Sequence, residues 1–384
     1  MKKFFTLFIS STLFVSAFAQ ITEGFYRVKN VASDRYVYVC DDKGVADVVN
    51  GNVKTDLGAI YLRKNLEYAI SDPGSIIFID QTGVSDGVSY YNLLSQGTSV
   101  YSIIKHNVNL NKRGDYYGVG ATVQGVSAYL ADNSTSNAEY VQISTDSNNA
   151  NQRLWNPIPV AVNSDNYFGV KPSVSAGDKF YESFYASFGF KPVSDATKVY
   201  SATSVCEAGA VFLSEVTGEV PPASPVIIEC QSDSPSNNKL DLKTGSSKLE
   251  SNKLKGVYFN VNTSDKKHPL YLFSSYEHKN QKEVTDNIRI LTVNAAGKLV
   301  FAKSSLSTIP ANSSYLEVSA SAADELEVYF DKDAYDQFVV NSLESLTVDT
   351  DNHSVYNLLG KKIQYSRNLP AGIYIIDGKK TVIR

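Results

Sequence analysis

Residues 23–39, EGFYRVKNVASDRYVYV, show the pattern that decides the fold class of this chain. Two runs rich in tyrosine and valine, GFYRVKNV and RYVYV, stand on either side of a short polar turn. β-Branched and aromatic residues fit a pleated, half-buried surface, and turn-forming residues between such runs are typical of strands. Comparable short runs separated by Asp, Asn, Gly and Ser recur along the chain, so the sequence predicts an all-β protein.

Residues 55–70, TDLGAIYLRKNLEYAI, have a different pattern that favours a helix. Leu57, Ile60 and Tyr61 begin an apolar pattern near helical spacing, and the Thr-Asp pair before them is a suitable N-cap. Pro-Gly at 73–74 lies beyond the end of the pattern. The sequence therefore predicts one helix within the first β domain.

The first 19 residues, MKKFFTLFISSTLFVSAFA, have the features of a secretory signal peptide. Two lysines precede an apolar run without acidic residues, and Ala17-Phe18-Ala19 supplies the small-x-small pattern that signal peptidase reads. We expect cleavage between Ala19 and Gln20, and because residue 20 is not cysteine, a lipid anchor is not indicated. No later apolar run approaches the ~20 residues that a spanning helix needs, so the sequence predicts an exported protein without a transmembrane segment.

The composition narrows the class of partner. The whole chain has a formal charge of −4, and the signal peptide holds two lysines and no acid, so the mature chain has 34 basic and 40 acidic residues, a charge of −6. Nucleic acids and anionic lipids are bound by basic patches, so neither is an expected partner. The 25 tyrosines suit β-sheets and also recognition surfaces, where a ring with a polar tip binds at low entropic cost.

Three cysteines are present, which is an odd number for an exported chain. Cys206 and Cys230 flank consecutive predicted strands, so the preferred prediction is one disulfide between them and a buried thiol at Cys40. The alternative is three unreactive thiols. The histidines are dispersed and none has a metal-ligand spacing, so the sequence predicts no metal site and no cofactor.

The end of the chain, residues 369–384, LPAGIYIIDGKKTVIR, predicts a hairpin. Asp377-Gly378 is a strong signal for a type I′ turn, because both central positions of that turn need a positive φ. The flanking residues are β-branched or aromatic. The simplest interpretation is the last hairpin of a β domain.

Residues 354–384, SVYNLLGKKIQYSRNLPAGIYIIDGKKTVIR, resemble the C-terminal sorting domain of the type IX (Por) secretion system. The resemblance implies a protein that outer-membrane secretion machinery delivers to the medium or the cell surface of a Gram-negative anaerobe. The residues expected to be read as the sorting hairpin are Tyr374, Asp377, Gly378, Lys379 and Lys380. The alternative is an ordinary terminal β module.

Residues 23–39, together with AYLAD at 128–132 and NNANQRLWNPIPV at 148–160, resemble the repeats of ricin-type β-trefoil lectins. The resemblance implies that Asp132 and Asn151 hydrogen-bond sugar hydroxyls, and that Gln152 and Trp155 hold the fold. This chain has one residue more than the family's Q-x-W signature. The alternative is a trefoil-like or sandwich domain without a sugar site.

The middle of the chain, at residues 180–205, 211–229 and 309–318, resembles a β-sandwich module found in many exported proteins of the same bacteria. We therefore expect a signal peptide at 1–19, a β-trefoil-like domain at 20–160 and a β-sandwich at 161–330. A short helix or linker at 331–343 precedes a small β module at 344–384.

The motifs of enzymes are not recognisable in the sequence. The chain shows no nucleophile elbow, no phosphate-binding glycine loop and no Cys/His/Asn spacing of a known protease. We therefore predict a secreted or cell-surface, non-enzymatic protein that binds an extracellular glycan or protein ligand. The alternatives are a structural or adhesive surface protein without a sugar site and, third, an extracellular hydrolase.

Overall fold

The computed structural model describes residues 21–39, 45–49, 52–54, 60–63, 66–85, 88–96, 98–99, 102–103, 108–123, 126–132, 141–144, 150–245, 247–259, 282–344, 354–357, 360–363 and 369–383. Within these ranges strands predominate and only two α-helices occur, so the predicted all-β class is confirmed. The described residues up to Phe168 form one compact unit, and those from Gly169 onward form a second.

The first unit consists of fourteen strands, one α-helix and two short 3-10 helices in the described ranges. In chain order they are β1 (Gly24–Asn30), β2 (Tyr36–Val39), β3 (Val45–Val49), β4 (Asn52–Lys54), β5 (Ile60–Arg63), α1 (Leu66–Ala69), a 3-10 turn (Pro73–Ser75), β6 (Ile77–Ser85), β7 (Val88–Ser95), β8 (Thr98–Ser99), β9 (Ser102–Ile103), β10 (Val108–Arg113), β11 (Tyr116–Val123), β12 (Val126–Ala131), β13 (Gln142–Ser144), a second 3-10 turn (Asn151–Arg153) and β14 (Leu154–Pro159).

Six of these strands close into a ring. β1 pairs with β6, β6 with β7, β7 with β10, β10 with β11, β11 with β14, and β14 returns to β1. All six pairings are antiparallel. Trp155 on β14 marks the closure, because it lies opposite Asn30 of β1 on one side and Tyr117 of β11 on the other. A closed ring leaves its strands no free edge.

Shorter strands interrupt the ring at three places. The β2–β5 pair lies between β1 and β6 in the chain, β8 and β9 lie between β7 and β10, and the β12–β13 pair lies between β11 and β14. The chain therefore repeats the same order three times: one ring strand, one excursion and a second ring strand.

The helix predicted over residues 55–70 is wrong at residues 60–63. Ile60–Arg63 is a strand that pairs with Tyr36–Val39, and among the described residues of this segment only Leu66–Ala69 is helical. The β-branched and aromatic residues of this segment find a partner strand, and tertiary pairing outweighs a local helical spacing.

The first unit extends beyond residue 160, the end predicted for the first domain. The Asn166 amide donates to the carbonyls of Ile158 and Pro159, both at 2.9 Å. Its Oδ1 accepts from Nη1 of the buried Arg27 at 2.8 Å. These bonds hold the segment after β14 against the ring.

The second unit begins within β15 (Phe168–Gly169). Its further elements are β16 (Val174–Ala176), β17 (Lys179–Phe184), β18 (Gly189–Pro192), β19 (Lys198–Cys206), β20 (Ala210–Glu215), β21 (Val226–Cys230), a 3-10 turn (Pro235–Asn237), β22 (Lys239–Lys243), β23 (Leu254–Val257), β24 (Ile288–Val293), β25 (Leu299–Ala302), β26 (Ser313–Glu317), β27 (Glu325–Tyr329), α2 (Lys332–Glu344), β28 (Val355–Asn357), β29 (Lys362–Ile363), β30 (Gly372–Ile376) and β31 (Lys379–Ile383).

Ten of these strands form one sheet in the order β16-β17-β21-β19-β20-β27-β25-β24-β26-β23. Its two halves are joined by a parallel pairing of β20 with β27, and they share a single apolar core, so the sheet is folded over on itself like a sandwich. The core residues are Tyr181, Tyr200, Ala202, Val211, Leu213, Ile227, Leu254, Leu291, Leu299, Phe301, Leu316, Val318, Ala322 and Leu326.

The segment at 331–343, predicted as a short helix or a linker, belongs to helix α2. Tyr335 is buried on this helix, and its ring lies 5.8 Å from Phe212 of β20 and 6.3 Å from Tyr329 of β27. These aromatic contacts fix the helix to the folded sheet.

The C-terminal strands form a separate four-stranded sheet in the order β29-β28-β30-β31. Val355, Tyr374 and Ile376 are its buried residues, with Ile363, Leu369 and Ile383 packed around them. A small sheet needs at least three strands with an apolar face to be stable by itself, and this sheet meets that requirement.

Candidate functional site

Asp132, predicted as a sugar ligand, lies in a buried ion pair at the end of β12. Its side chain is 2% exposed. The Nε of Arg35 donates to Oδ2 at 2.9 Å, and the Nη2 of Arg35 donates to Oδ1. The Ser33 hydroxyl also donates to Oδ2. Both carboxylate oxygens are therefore engaged inside the protein, and the interpretation of Asp132 as an open sugar ligand needs correction.

Asn30 continues this polar cluster into the ring. It is fully buried, and its amide donates to the carbonyls of Gln152 at 2.9 Å and Leu154 at 3.3 Å. Its Oδ1 accepts from the main-chain nitrogens of Ala32 and Ser33. The cluster thus ties the β1–β2 turn to the turn that precedes β14, which is a structural task.

Trp155 is a core residue, as the lectin resemblance implies, and Gln152 contributes to the fold through its main-chain carbonyl. The Gln152 carbonyl accepts from the main-chain nitrogen of Asp132 at 2.8 Å. Trp155 is fully buried, and its indole nitrogen donates to the Leu130 carbonyl at 3.1 Å. A buried tryptophan whose N–H has a partner is a stable core residue.

Asn151 is the accessible member of the predicted sugar pair. It is exposed at the first position of the 3-10 turn Asn151–Arg153, one residue before the carbonyl that binds Asp132. The main-chain bond between Asp132 and Gln152 brings Asn151 near Asp132 in space, but only Asn151 is exposed to solvent.

Three of the ring strands share a short sequence repeat, which sequence reasoning missed. An aromatic residue, Tyr, any residue and an aliphatic residue recur at 25–28, 90–93 and 116–119. These segments lie on β1, β7 and β11, the ring strand that precedes each excursion. Burial, followed by the neighbouring Tyr91 and Tyr26, raises the pKa of Tyr117, so the three tyrosines of the repeat lie near one another. The repeat can be found in the sequence if its three copies are allowed to lie at unequal distances from one another.

The predicted disulfide between Cys206 and Cys230 is wrong, because both thiols are free. β19 pairs antiparallel with β21 so that Lys198 lies opposite Glu229. Cys230 is therefore beside the start of β19, whereas Cys206 ends that strand, roughly 26 Å further along at 3.3 Å per residue. Burial, then the charges of Glu182 and Glu229, raises the pKa of Cys230 to about 12, so this thiol is a poor nucleophile.

Glu182 on β17 is a half-buried acid of the second unit. It shares a face of the strand with Phe184, whose ring packs edge-on against Phe190 of β18 at 5.5 Å. Burial raises the pKa of Glu182 to about 7, although hydrogen bonds from Ser173 oppose the shift. Its Oε2 is buried and has no hydrogen-bond partner among the described residues. A shifted acid suggests a catalytic role in general, but its titratable neighbour, Cys230, is held protonated and therefore neutral.

The terminal hairpin has the predicted turn. Asp377 and Gly378 both have positive φ, at 50° and 83°, as a type I′ turn requires. Asp377 exchanges bonds with Ser354, since its Oδ1 accepts from the Ser354 nitrogen and its own nitrogen donates to the Ser354 carbonyl, both at 3.0 Å. Tyr374 is buried, and its hydroxyl donates to the Pro370 carbonyl at 2.9 Å. These three residues shape the hairpin.

Lys379 and Lys380, the remaining residues of the predicted sorting hairpin, are exposed. The signal-peptide cleavage site at Ala19 and Gln20, and the thiol of Cys40, lie outside the described residues. In the ranges that the structure describes, no group of three or more His, Cys, Asp or Glu could hold a metal ion. No helix there is long and apolar enough to span a bilayer.

A scan against protein-family models finds no match, and a search of curated proteins finds no similar sequence. Function must therefore be inferred from the side chains and their contacts.

Proposed function

We propose that this chain is an exported, non-enzymatic protein that its C-terminal module directs to the cell surface, where it binds an extracellular glycan. The observation that carries the proposal is the four-stranded C-terminal sheet. It buries a small core of its own around Val355, Tyr374 and Ile376. Its last hairpin has a turn with the two positive φ angles of type I′, and two exposed lysines follow the turn. The hairpin is a small part of a chain of 384 residues and contributes little to its stability. Its regular shape is therefore better explained by recognition by a receptor.

The delivery step is tested by deleting residues 369–384. We expect the shortened protein to be retained in the cell envelope of a type IX-competent host, while its purified form keeps the thermal transition of the parent within a few degrees. Normal delivery of the shortened protein would refute the sorting role. Unfolding of the purified protein would show that the hairpin serves the fold instead.

The ring of the first unit favours the glycan as the ligand. A ring of six antiparallel strands with three excursions is what we would expect of a β-trefoil, the fold of the lectins that the sequence resembles, and it supports the proposal to that extent. Fold alone does not specify function. The exposed Asn151 amide, however, offers a donor and an acceptor on a turn that the Asn30 and Asp132 contacts make rigid. A pre-organised amide is suited to sugar hydroxyls.

The glycan proposal is tested with the full mature protein on a glycan array. Asn151→Ala should reduce retention by at least tenfold, because it removes both hydrogen-bonding groups without touching the core. Asn163→Ala, an exposed asparagine in the same unit, is the matched control. Equal retention by both variants and the parent would exclude Asn151, and capture of a protein ligand without any sugar binding would favour an adhesive role. Release of reducing ends from the array would indicate a hydrolase.

A further inference from the structure

The C-terminal sheet has a second face that its own core does not cover. Residues directly opposite one another on neighbouring strands point to the same side of a sheet. Lys362 lies opposite Tyr356, Tyr356 opposite Ile375, and Ile375 opposite Lys380, so one row of side chains crosses all four strands. We call the side that carries this row the open face.

A second row of the open face is apolar. Ile373 lies opposite Val382, two residues along each strand from Ile375 and Lys380. Ile373 is 36% exposed and Val382 is 60% exposed. The buried residues Val355, Tyr374 and Ile376 alternate with this set and belong to the opposite side of the sheet.

The open face therefore has an apolar centre with one lysine at each edge. Tyr356, Ile373, Ile375 and Val382 form the centre, and Lys362 and Lys380 border it. Apolar side chains grouped in this way and rimmed by charge are typical of protein-binding surfaces. Electrostatic complementarity indicates that the partner presents an apolar strip bordered by carboxylates.

We propose that the open face is the surface that the outer-membrane secretion machinery reads, through a protein surface with an apolar strip and an acidic rim. This inference rests on the sorting role proposed above and deepens it. It also reassigns the residues of the hairpin. Tyr374, Asp377 and Gly378 build the sheet, whereas Lys380 is read together with residues outside the predicted set.

A second copy of this chain fits the open face poorly. Two open faces brought together would place the edge lysines of one copy near those of the other, and like charges across an interface are unfavourable. A partner with the opposite charge has no such penalty.

The pattern of lysines provides a matched test. Lys361-Lys362 and Lys379-Lys380 are two adjacent pairs, and all four lysines are exposed. Lys379 lies opposite Ile376 and so alternates with Lys380, while Lys361 precedes β29 in the turn. K362E/K380E therefore reverses the charges on the open face, and K361E/K379E makes the same change in composition away from it.

Delivery is measured in a type IX-competent host as the fraction of full-length protein that reaches the surface and medium. K362E/K380E should reduce this fraction about tenfold. For K361E/K379E the fraction should stay within about twofold of that of the parent, since only the former pair meets the acidic rim. Val382→Asp should block delivery like the deletion of residues 369–384. Thermal unfolding of each purified variant should match the parent, because exposed substitutions change stability by about 0.5 kcal/mol or less.

The outcomes separate this inference from the sorting proposal. Normal delivery of the deletion variant would overturn both. Retention of the deletion variant with equal delivery of the two lysine variants would overturn the open face alone. A parent dimer that K362E/K380E disrupts would assign the face to a second copy. A lower unfolding temperature of K362E/K380E alone would assign it to the chain's own residues, and either result would overturn the inference.

Discussion

Among the residues that the structure describes, each unit buries one arginine completely, and the two are used differently. Arg27 on β1 donates to the side chains of Ser75 and Asn166, and to the main-chain carbonyls of Ile70 and Tyr167 in the same two segments. Arg289 on β24 donates to four main-chain carbonyls, which belong to residues 286, 288, 322 and 323. In the ring the guanidinium joins segments that follow different strands, whereas in the folded sheet it satisfies two nearby turns.

The difference shows how each unit holds the segments that connect its strands. A ring has its strands paired on both sides, so its long connections must be tied down from inside. The guanidinium is suited to this because it has five donors in a fixed plane. Burial, opposed by smaller charge effects of Tyr36 and Asp72, lowers the pKa of Arg27 to about 10, so the group stays charged at neutral pH.

The largest effect expected is from removal of either buried arginine. Arg27→Ala and Arg289→Ala each leave several buried acceptors without a donor and empty a large volume. An unsatisfied buried group costs about 1–3 kcal/mol, so a loss of at least about 3 kcal/mol is expected for each variant. Urea unfolding measures it. A loss below about 1 kcal/mol for either one would break the comparison.

The ion pair of Asp132 gives the next effect. Asp132→Ala removes the carboxylate to which Arg35 donates, and loss of one partner of a buried pair costs about 3–5 kcal/mol. The control is Asp34→Ala, in which a carboxylate 79% exposed loses a surface pair with Lys29, worth about 1 kcal/mol or less. Equal unfolding free energies for both variants would show that the Asp132 pair is not part of the fold.

The Glu182 carboxyl should make the second unit sensitive to pH. An acid whose folded-state pKa is raised binds more protons folded than unfolded, so stability falls as pH rises between about 4.5 and about 7 and then levels off. The shift corresponds to about 3 kcal/mol at most. Glu182→Gln should remove this slope and stabilise the protein at pH 8, measured by urea unfolding across the pH range. Glu219→Gln, at an exposed position, should keep the slope; a parent without any slope would contradict the assignment.

The smallest effect concerns the thiols of the second unit. Because Cys206 and Cys230 are free, a reducing agent should shift the unfolding temperature by less than about 1 °C. Alkylation of the unfolded, unreduced protein should label both residues, as peptide mass mapping can show. Loss of labelling at both positions would restore the disulfide that the sequence favoured.

Local chemistry allowed much of the fold to be predicted from the sequence. Alternating tyrosines and β-branched residues predicted the strands, and Asp377-Gly378 predicted its turn, because these properties depend on the residues themselves. The helix at 55–70 failed because Ile60–Arg63 finds a partner in β2, which no local pattern reports.

The candidate sites depended on contacts that are distant in sequence. Asp132 has the residue type of a sugar ligand, yet Arg35, 97 residues earlier, occupies its carboxylate. The disulfide prediction failed for a related reason. That two strands are near one another in the sequence does not determine which of their ends lie side by side. Exposure and register are properties of the assembled sheets, so residue type alone could not provide them.

The closure of the ring has a consequence for the order in which the chain can fold. β1 ends at Asn30 and its partner β14 begins at Leu154, so the last pairing spans more than a hundred residues. Loop closure over such a distance is slow compared with the pairing of hairpins such as β6–β7. Until β14 leaves the ribosome, β1 and β11 each keep an unpaired edge. The ring therefore completes late, and a nascent chain of this protein stays open to chaperones for nearly the whole synthesis of its first unit.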